Sequence, residues 1–208
     1  MSAHTQPEQT AEAVNGPSAW ASLVEFTEQQ QSKNRTPGVA VGILHDGEVS
    51  AQGFGVTNVD HPLPVTDTTL FQIGSITKTF TGTLIMRLVE QGKIELDAPV
   101  RTYLPDFRVV DEAASAQVTV RQLMTHTSGW EGDLFLDTGP GDDALAKYVA
   151  EMAEQTQLAP LGTHWSYNNA GFALLGYLIE VITGESYEQV LRSQLLEPLG
   201  LDEAFLKP

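Results

Sequence analysis

The chain has 208 residues, of which 27 are acidic and 11 basic, giving a formal net charge of −16. Such a surface repels nucleic acid and anionic lipid, and no basic patch offsets it, so no nucleic-acid partner is expected. Cysteine is absent, which removes disulfide scaffolds, thiolate zinc sites and cysteine nucleophiles.

Residues 1–18 form a polar tail with neither a basic start nor an apolar run, so no export signal is read. A cytoplasmic location is therefore expected, although removal of a signal would leave the same start. A helix follows at SAWASLVEFTEQQQ, where Trp20, Leu23, Val24 and Phe26 supply an apolar side. TPGVAVGILHDGEVSAQGFGVT reads as two strands joined at Asp46-Gly47, a strong hairpin signal. NVDHPLPVTDTT is a loop.

From Ser75 the pattern changes to a helical one: Ile76, Phe80, Leu84 and Leu88 recur every four residues, and Gly92 supplies the stop. Pro99 and Pro105 bracket a short turn, and a helix capped by Thr119 is expected to run to Gly129. DDALAKYVAEMAEQTQ reads as helix, and the segment from Ala159 as a loop and two helices parted by Gly184. No stretch approaches about 18 continuous apolar residues, so membrane insertion is not expected. Three regions result: the tail (1–18), an N-terminal helix with the first hairpin (19–60), and a mostly helical region (61–208). The fold class is α+β. A lone hairpin needs further strands or a packing face, so either helices cover it or its missing strands lie outside this sequence.

Ser75 and Lys78 stand three apart, hence as neighbours on one helical face. A serine hydroxyl becomes a useful nucleophile once a base takes its proton, and a lysine serves when part of it is kept neutral. Gly74 would allow close backbone approach, Gly82 would leave room beside Lys78, and the helix N-terminus favours charge developing on an attacked carbonyl oxygen. The bland reading is a capping serine beside a solvated lysine. Tyr167 and Asn169, in HWSYNNAG, precede a helix and could converge on one spot. A phenol can relay a proton, and an amide can hold both a lysine and a substrate carbonyl. Their bland reading is an aromatic packing residue and a helix cap. His126 invites a Ser-His reading, but no Gly-x-Ser-x-Gly elbow exists, so His126 and Ser128 read as structural residues of a loop bordering the site. The remaining histidines lack metal-ligand spacing, and no metal or other cofactor is expected.

Taken in order, these pieces resemble the serine beta-lactamase and penicillin-binding-protein superfamily, particularly class C beta-lactamases, DD-peptidases and related esterases. LFQIGSITKTFTGTLIMRLVEQGKIELDAPVRTYLPDF resembles the nucleophile helix and the segment after it. VTVRQLMTHTSG is similar to the next helix and turn, and GTHWSYNNAGFALLGYLIEVITGESYEQVLRSQLLEPLGL to the Tyr-x-Asn loop and two helices. The resemblance implies a beta-lactamase/transpeptidase-like α+β fold, an antiparallel sheet packed with helices. It implies Ser75 as acylated nucleophile, Lys78 as its partner, Tyr167 as proton relay and Asn169 as the motif's asparagine. The Ser75 N–H would supply half of an oxyanion hole.

The third motif of the superfamily, Lys-Thr-Gly or His-x-Gly on a later strand, has no counterpart. The one His-x-Gly, His45-Asp46-Gly47, sits in the hairpin turn. The C-terminal strands are lacking, which leaves three explanations: a second chain supplying them, a fragment, or a non-catalytic binding module. The leading expectation is a serine hydrolase acting on small esters or amides. A beta-lactamase or DD-peptidase acting on beta-lactams or D-Ala peptides is the alternative, and an inactive module on the same fold is a third.

Overall fold

The computed structural model describes residues 17–206. They fall into two compact units, one ending at Gln72 and the other beginning at Ile73.

The first unit holds α1 (Pro17–Asn34) and an antiparallel hairpin of β1 (Gly38–His45) and β2 (Glu48–Gly55). Its register runs from Gly38 opposite Gly55 to His45 opposite Glu48. Asp46 and Gly47 close it with φ of 50° and 84°. Two positive φ values in a two-residue loop match the right-handed twist of the strands, as the Asp-Gly pair predicts. Along β1, Val39, Val41 and Ile43 are half-buried while Ala40, Gly42 and Leu44 are exposed, the alternation of a strand with one covered face. Gln31 of α1 donates to the Pro37 carbonyl at 3.0 Å, tying the helix to the start of β1.

The second unit is helical. Its elements are α2 (Thr77–Glu90), α3 (Glu112–Gln117), α4 (Val120–Met124), α5 (Ala144–Glu151), α6 (Asn169–Thr183) and α7 (Tyr187–Leu191). The apolar α6 lies at the centre and packs against α2, α4, α5 and α7. Leu174, Leu175, Leu178 and Ile179 of α6 are fully buried beside Leu84, Ile85 and Leu88 of α2, with Leu123, Trp130 and Met152 completing the core. Each such side chain contributes about 1.5–3 kcal/mol by leaving water, so α6 and α2 are the rigid frame on which the site rests.

Local signals set most boundaries. Thr119 and Gln122 form the reciprocal capping box at the start of α4, as do Ser186 and Gln189 for α7. Gly184, with φ 76°, ends α6 in the left-handed conformation. Two expected helices are shorter in the structure. The one begun by Thr119 stops at Met124 rather than near Gly129, because His126 turns the chain left-handed at φ 58°. The one from Asp142 holds α geometry only over 144–151 and finishes in a 3₁₀ turn at 152–154. The short α3 went unread; Asp111 caps it by accepting from the Ala114 N–H at 2.8 Å.

Candidate active site

Ser75 lies in a 3₁₀ turn, Gly74–Ile76, that runs directly into α2. Gly74 has a φ of 50°, and nothing lies within 4 Å of where its Cβ would be. Its glycine therefore serves a left-handed backbone rather than the close approach expected from the sequence. Gly82 is likewise not a tight spot, since a Cβ there would meet only the Met124 Cε at 3.8 Å. Ser75 caps nothing: neither residue preceding the two helical turns makes a side-chain capping bond, and the Ser75 Oγ is met instead by the Lys78 Nζ at 3.2 Å. As an early residue of the turn, Ser75 also has no intrahelical acceptor for its N–H.

Lys78 reaches across to α6. Its Nζ donates to the Asn169 Oδ1 at 2.7 Å, joining residues 91 apart in sequence. It also stands 4.8 Å from the centroid of the Tyr167 ring and 5.7 Å from that of Phe172, on two aromatic faces that favour a cation. Hydrogen bonding to Lys78, and then to Ser75, draws the Tyr167 phenol below its usual value. The four residues singled out from the sequence thus converge on one place within the second unit. Three of them, Ser75, Lys78 and Asn169, border a recess of about 340 Å³ that Thr81, Phe172 and Tyr187 also line. At its side the Thr81 and Tyr187 hydroxyls lie 2.7 Å apart, and burial raises the Tyr187 phenol.

The turn carrying Tyr167 is fixed from behind. Asn168, only 1% exposed, is the true cap of α6: its Oδ1 accepts from the Gly171 N–H at 2.7 Å. Its Nδ2 donates to the Ser128 Oγ and the Trp130 carbonyl at 3.3 and 3.2 Å. The His126 Nδ1 accepts from the Asn168 N–H at 3.0 Å, and the ring lies 4.7 Å from Tyr167 and 5.1 Å from Phe172. With Nδ1 occupied in that way, His126 holds the loop, as does buried Ser128. Burial, and then the Lys78 charge, push the His126 ring below its ordinary value. Gly132 pins the facing loop: its carbonyl accepts from the N–H groups of Asn169 and Ala170, both at 3.0 Å. A Cβ on it would stand 2.7 Å from the Tyr167 carbonyl oxygen. Next to it, the Asp133 Oδ1 accepts from the Asn169 Nδ2 at 2.8 Å. Asp133 and Asn168 were not singled out from the sequence; the first lies in a loop without periodicity, and the second is one of two adjacent asparagines.

Among the described residues, no group of three or more His, Asp or Glu is placed to hold a metal ion, and no helix is long and apolar enough to cross a membrane.

A Ser-x-x-Lys pair at the head of one helix is thus met by the Asn of a Tyr-x-Asn turn at the head of another, and the comparisons with known proteins place the chain in the serine beta-lactamase and penicillin-binding-protein superfamily. The chain belongs to the Beta-lactamase family, whose family model matches residues 23–208. It is 40% identical over 178 residues to penicillin-binding protein 4 of Amycolatopsis lactamdurans, a stretch that is 86% of this chain and 47% of that protein. A class C beta-lactamase solved in complex with cefoxitin superposes with a TM-score of 0.77 at 30% identity, covering 90% of this chain and 51% of that one. An octameric penicillin-binding-protein homologue from Pyrococcus abyssi gives 0.73 at 34%, covering 88% and 43%. The fold is therefore beta-lactamase-like α+β, and the chain spans about half the length or less of these relatives.

Proposed function

We propose that the protein is a serine hydrolase that forms an acyl-enzyme on Ser75. The observation that carries this reading is the convergence of Lys78 on both the Ser75 Oγ and the Asn169 Oδ1 beside Tyr167. Acting as the general base, Lys78 takes the Ser75 proton as the Oγ attacks a carbonyl carbon. The charge that develops on the carbonyl oxygen lies at the N-terminus of α2, near the unpaired N–H of Ser75. As the tetrahedral intermediate collapses, Tyr167 passes the proton to the leaving alcohol or amine. Water then attacks the ester carbonyl, and Ser75 is regenerated with release of the acid. A second oxyanion donor is not assigned among the described residues. The relatives, of which the chain covers about half or less, support a second chain or a longer form of the protein as its source.

The substrate on this reading is a small ester or amide with an accessible carbonyl. The relatives favour a second reading, a beta-lactam or a D-Ala peptide, because they are penicillin-binding proteins and a beta-lactamase bound to cefoxitin. Both share the acylation step. Incubation with a fluorophosphonate and, separately, with a fluorescent penicillin, each with peptide mapping of the product, tests them together. An adduct on Ser75 from either probe, absent in Ser75→Ala, supports the hydrolase. Labelling by penicillin favours the second substrate class. No adduct from either, with any co-purifying chain present, leaves the inactive binding module as the function.

A further inference from the structure

The Asn169 side chain links Lys78 to the loop after Trp130, and an amide can be turned either way about its last bond, exchanging donor for acceptor. Its neighbours remove that freedom. A carboxylate only accepts hydrogen bonds, so the Asp133 Oδ1, at 2.8 Å, commits the Nδ2 of Asn169 to itself. The Oδ1 of Asn169 must then face Lys78, where it lies 2.7 Å from the Nζ. Asp133 in turn is placed by its neighbour: Gly132 accepts two N–H bonds from the first residues of α6 and has no room for a Cβ. The remaining groups around this chain are Tyr167, Tyr148 and His126. The Asp133 charge acts to raise both phenols, and the Lys78 charge acts to lower the His126 ring.

The orientation matters for a lysine acting as a base. A neutral amine has one lone pair. Facing an acceptor oxygen, it can only donate to Asn169, so the lone pair stays available to the Ser75 hydroxyl at 3.2 Å. Facing an amide N–H₂, it would accept from Asn169, and the lone pair would be taken. We propose that Asp133 is a positioning residue that fixes the Asn169 amide and thereby keeps the lone pair of Lys78 directed at Ser75. The second half of this statement rests on the hydrolase reading; the first half does not.

The two halves are separated by tracking the Asn169 side-chain amide by ¹⁵N NMR in the full chain, alongside the rate of fluorophosphonate labelling of Ser75. The Asn169 amide protons should be widely split, with one shifted downfield by the carboxylate. Asp133→Asn keeps an acceptor oxygen, so it should retain the splitting. Asp133→Ala should collapse it. Labelling at alkaline pH should slow about tenfold in Asp133→Ala, the scale of one hydrogen bond to a charged group. It should recover in Asp133→Asn and show no further loss when Asp133→Ala is added to Asn169→Ala. An Asn169 amide indifferent to Asp133→Ala overturns the proposal, as does a slowing that persists in the Asn169→Ala background. A responsive amide in a chain whose Ser75 takes no label supports the positioning and overturns the hydrolase reading.

Discussion

Lys78 is held closer to Asn169 than to Ser75, at 2.7 Å against 3.2 Å. The short contact anchors the amine from α6, while the longer one leaves the serine hydroxyl free to turn toward an incoming carbonyl. Removing the anchor should therefore harm the reaction without harming the fold. Lys78→Ala should slow labelling of Ser75 by about 10²–10⁴-fold, the usual share of a general base. Asn169→Ala should slow it less, by about tenfold or somewhat more. Stopped-flow or gel-based labelling rates check both. Equal rates in Asn169→Ala and wild type would show that Lys78 keeps its place unaided.

Tyr167 should ionise before Tyr148 and Tyr187. Its phenol is drawn down chiefly by hydrogen bonding to Lys78 and Ser75, whereas burial raises Tyr148 and Tyr187. Ultraviolet titration of the phenolate band should show an early component that is lost in Tyr167→Phe. In Lys78→Ala that component should move up toward the ordinary value of 10.0. If Lys78→Ala leaves the titration unchanged, the phenol is not coupled to the amine.

Several of these residues were legible because their signal is local. Ser75 and Lys78 are three apart, and Tyr167 and Asn169 are two apart, so each pair is a motif within one turn. The link from Lys78 to Asn169 spans 91 residues. No periodicity reports such a contact, and only the resemblance to a family placed the two pairs in one site. Asp133 left no signal at all, because its role depends on which loop Gly132 pins to α6. The end of α4 was misplaced for a related reason. His126 takes a left-handed backbone that glycine would have announced, and it does so to bring its ring behind Tyr167. Elements thus came from pattern and capping chemistry, while the site came from packing between elements.

Stability should fall on the acid side because of His126. Burial, and then Lys78, hold its ring below the ordinary value of 6.5, and its unprotonated Nδ1 accepts from the Asn168 N–H. The unfolded chain therefore binds this proton more readily than the folded one. Its contribution is fully present above pH 6.5 and is lost as pH falls through the lower folded value. The melting temperature should drop over that window. His126→Gln, which keeps an acceptor but no titrating ring, should flatten that part of the curve. A profile of unchanged slope in His126→Gln would assign the acid sensitivity to other groups.

Two glycines near the site should respond in opposite directions to the same methyl group. At Gly132 a Cβ would stand 2.7 Å from the Tyr167 carbonyl oxygen and 2.8 Å from the Asn168 Cα, both backbone atoms that cannot swing aside. Gly132→Ala should destabilise by about 1–3 kcal/mol, the range for overpacking. Because the displaced loop carries Asp133 and the displaced turn carries Tyr167, the early phenol titration should change with it. Gly82, inside α2, offers a Cβ ordinary contact with the Met124 Cε at 3.8 Å. Gly82→Ala should stabilise by up to about 1 kcal/mol, since alanine gives up less backbone entropy in a helix interior. Thermal melts of the two variants decide the matter. If Gly132→Ala melts like wild type, the loop can withdraw from the head of α6, and the site does not depend on that contact.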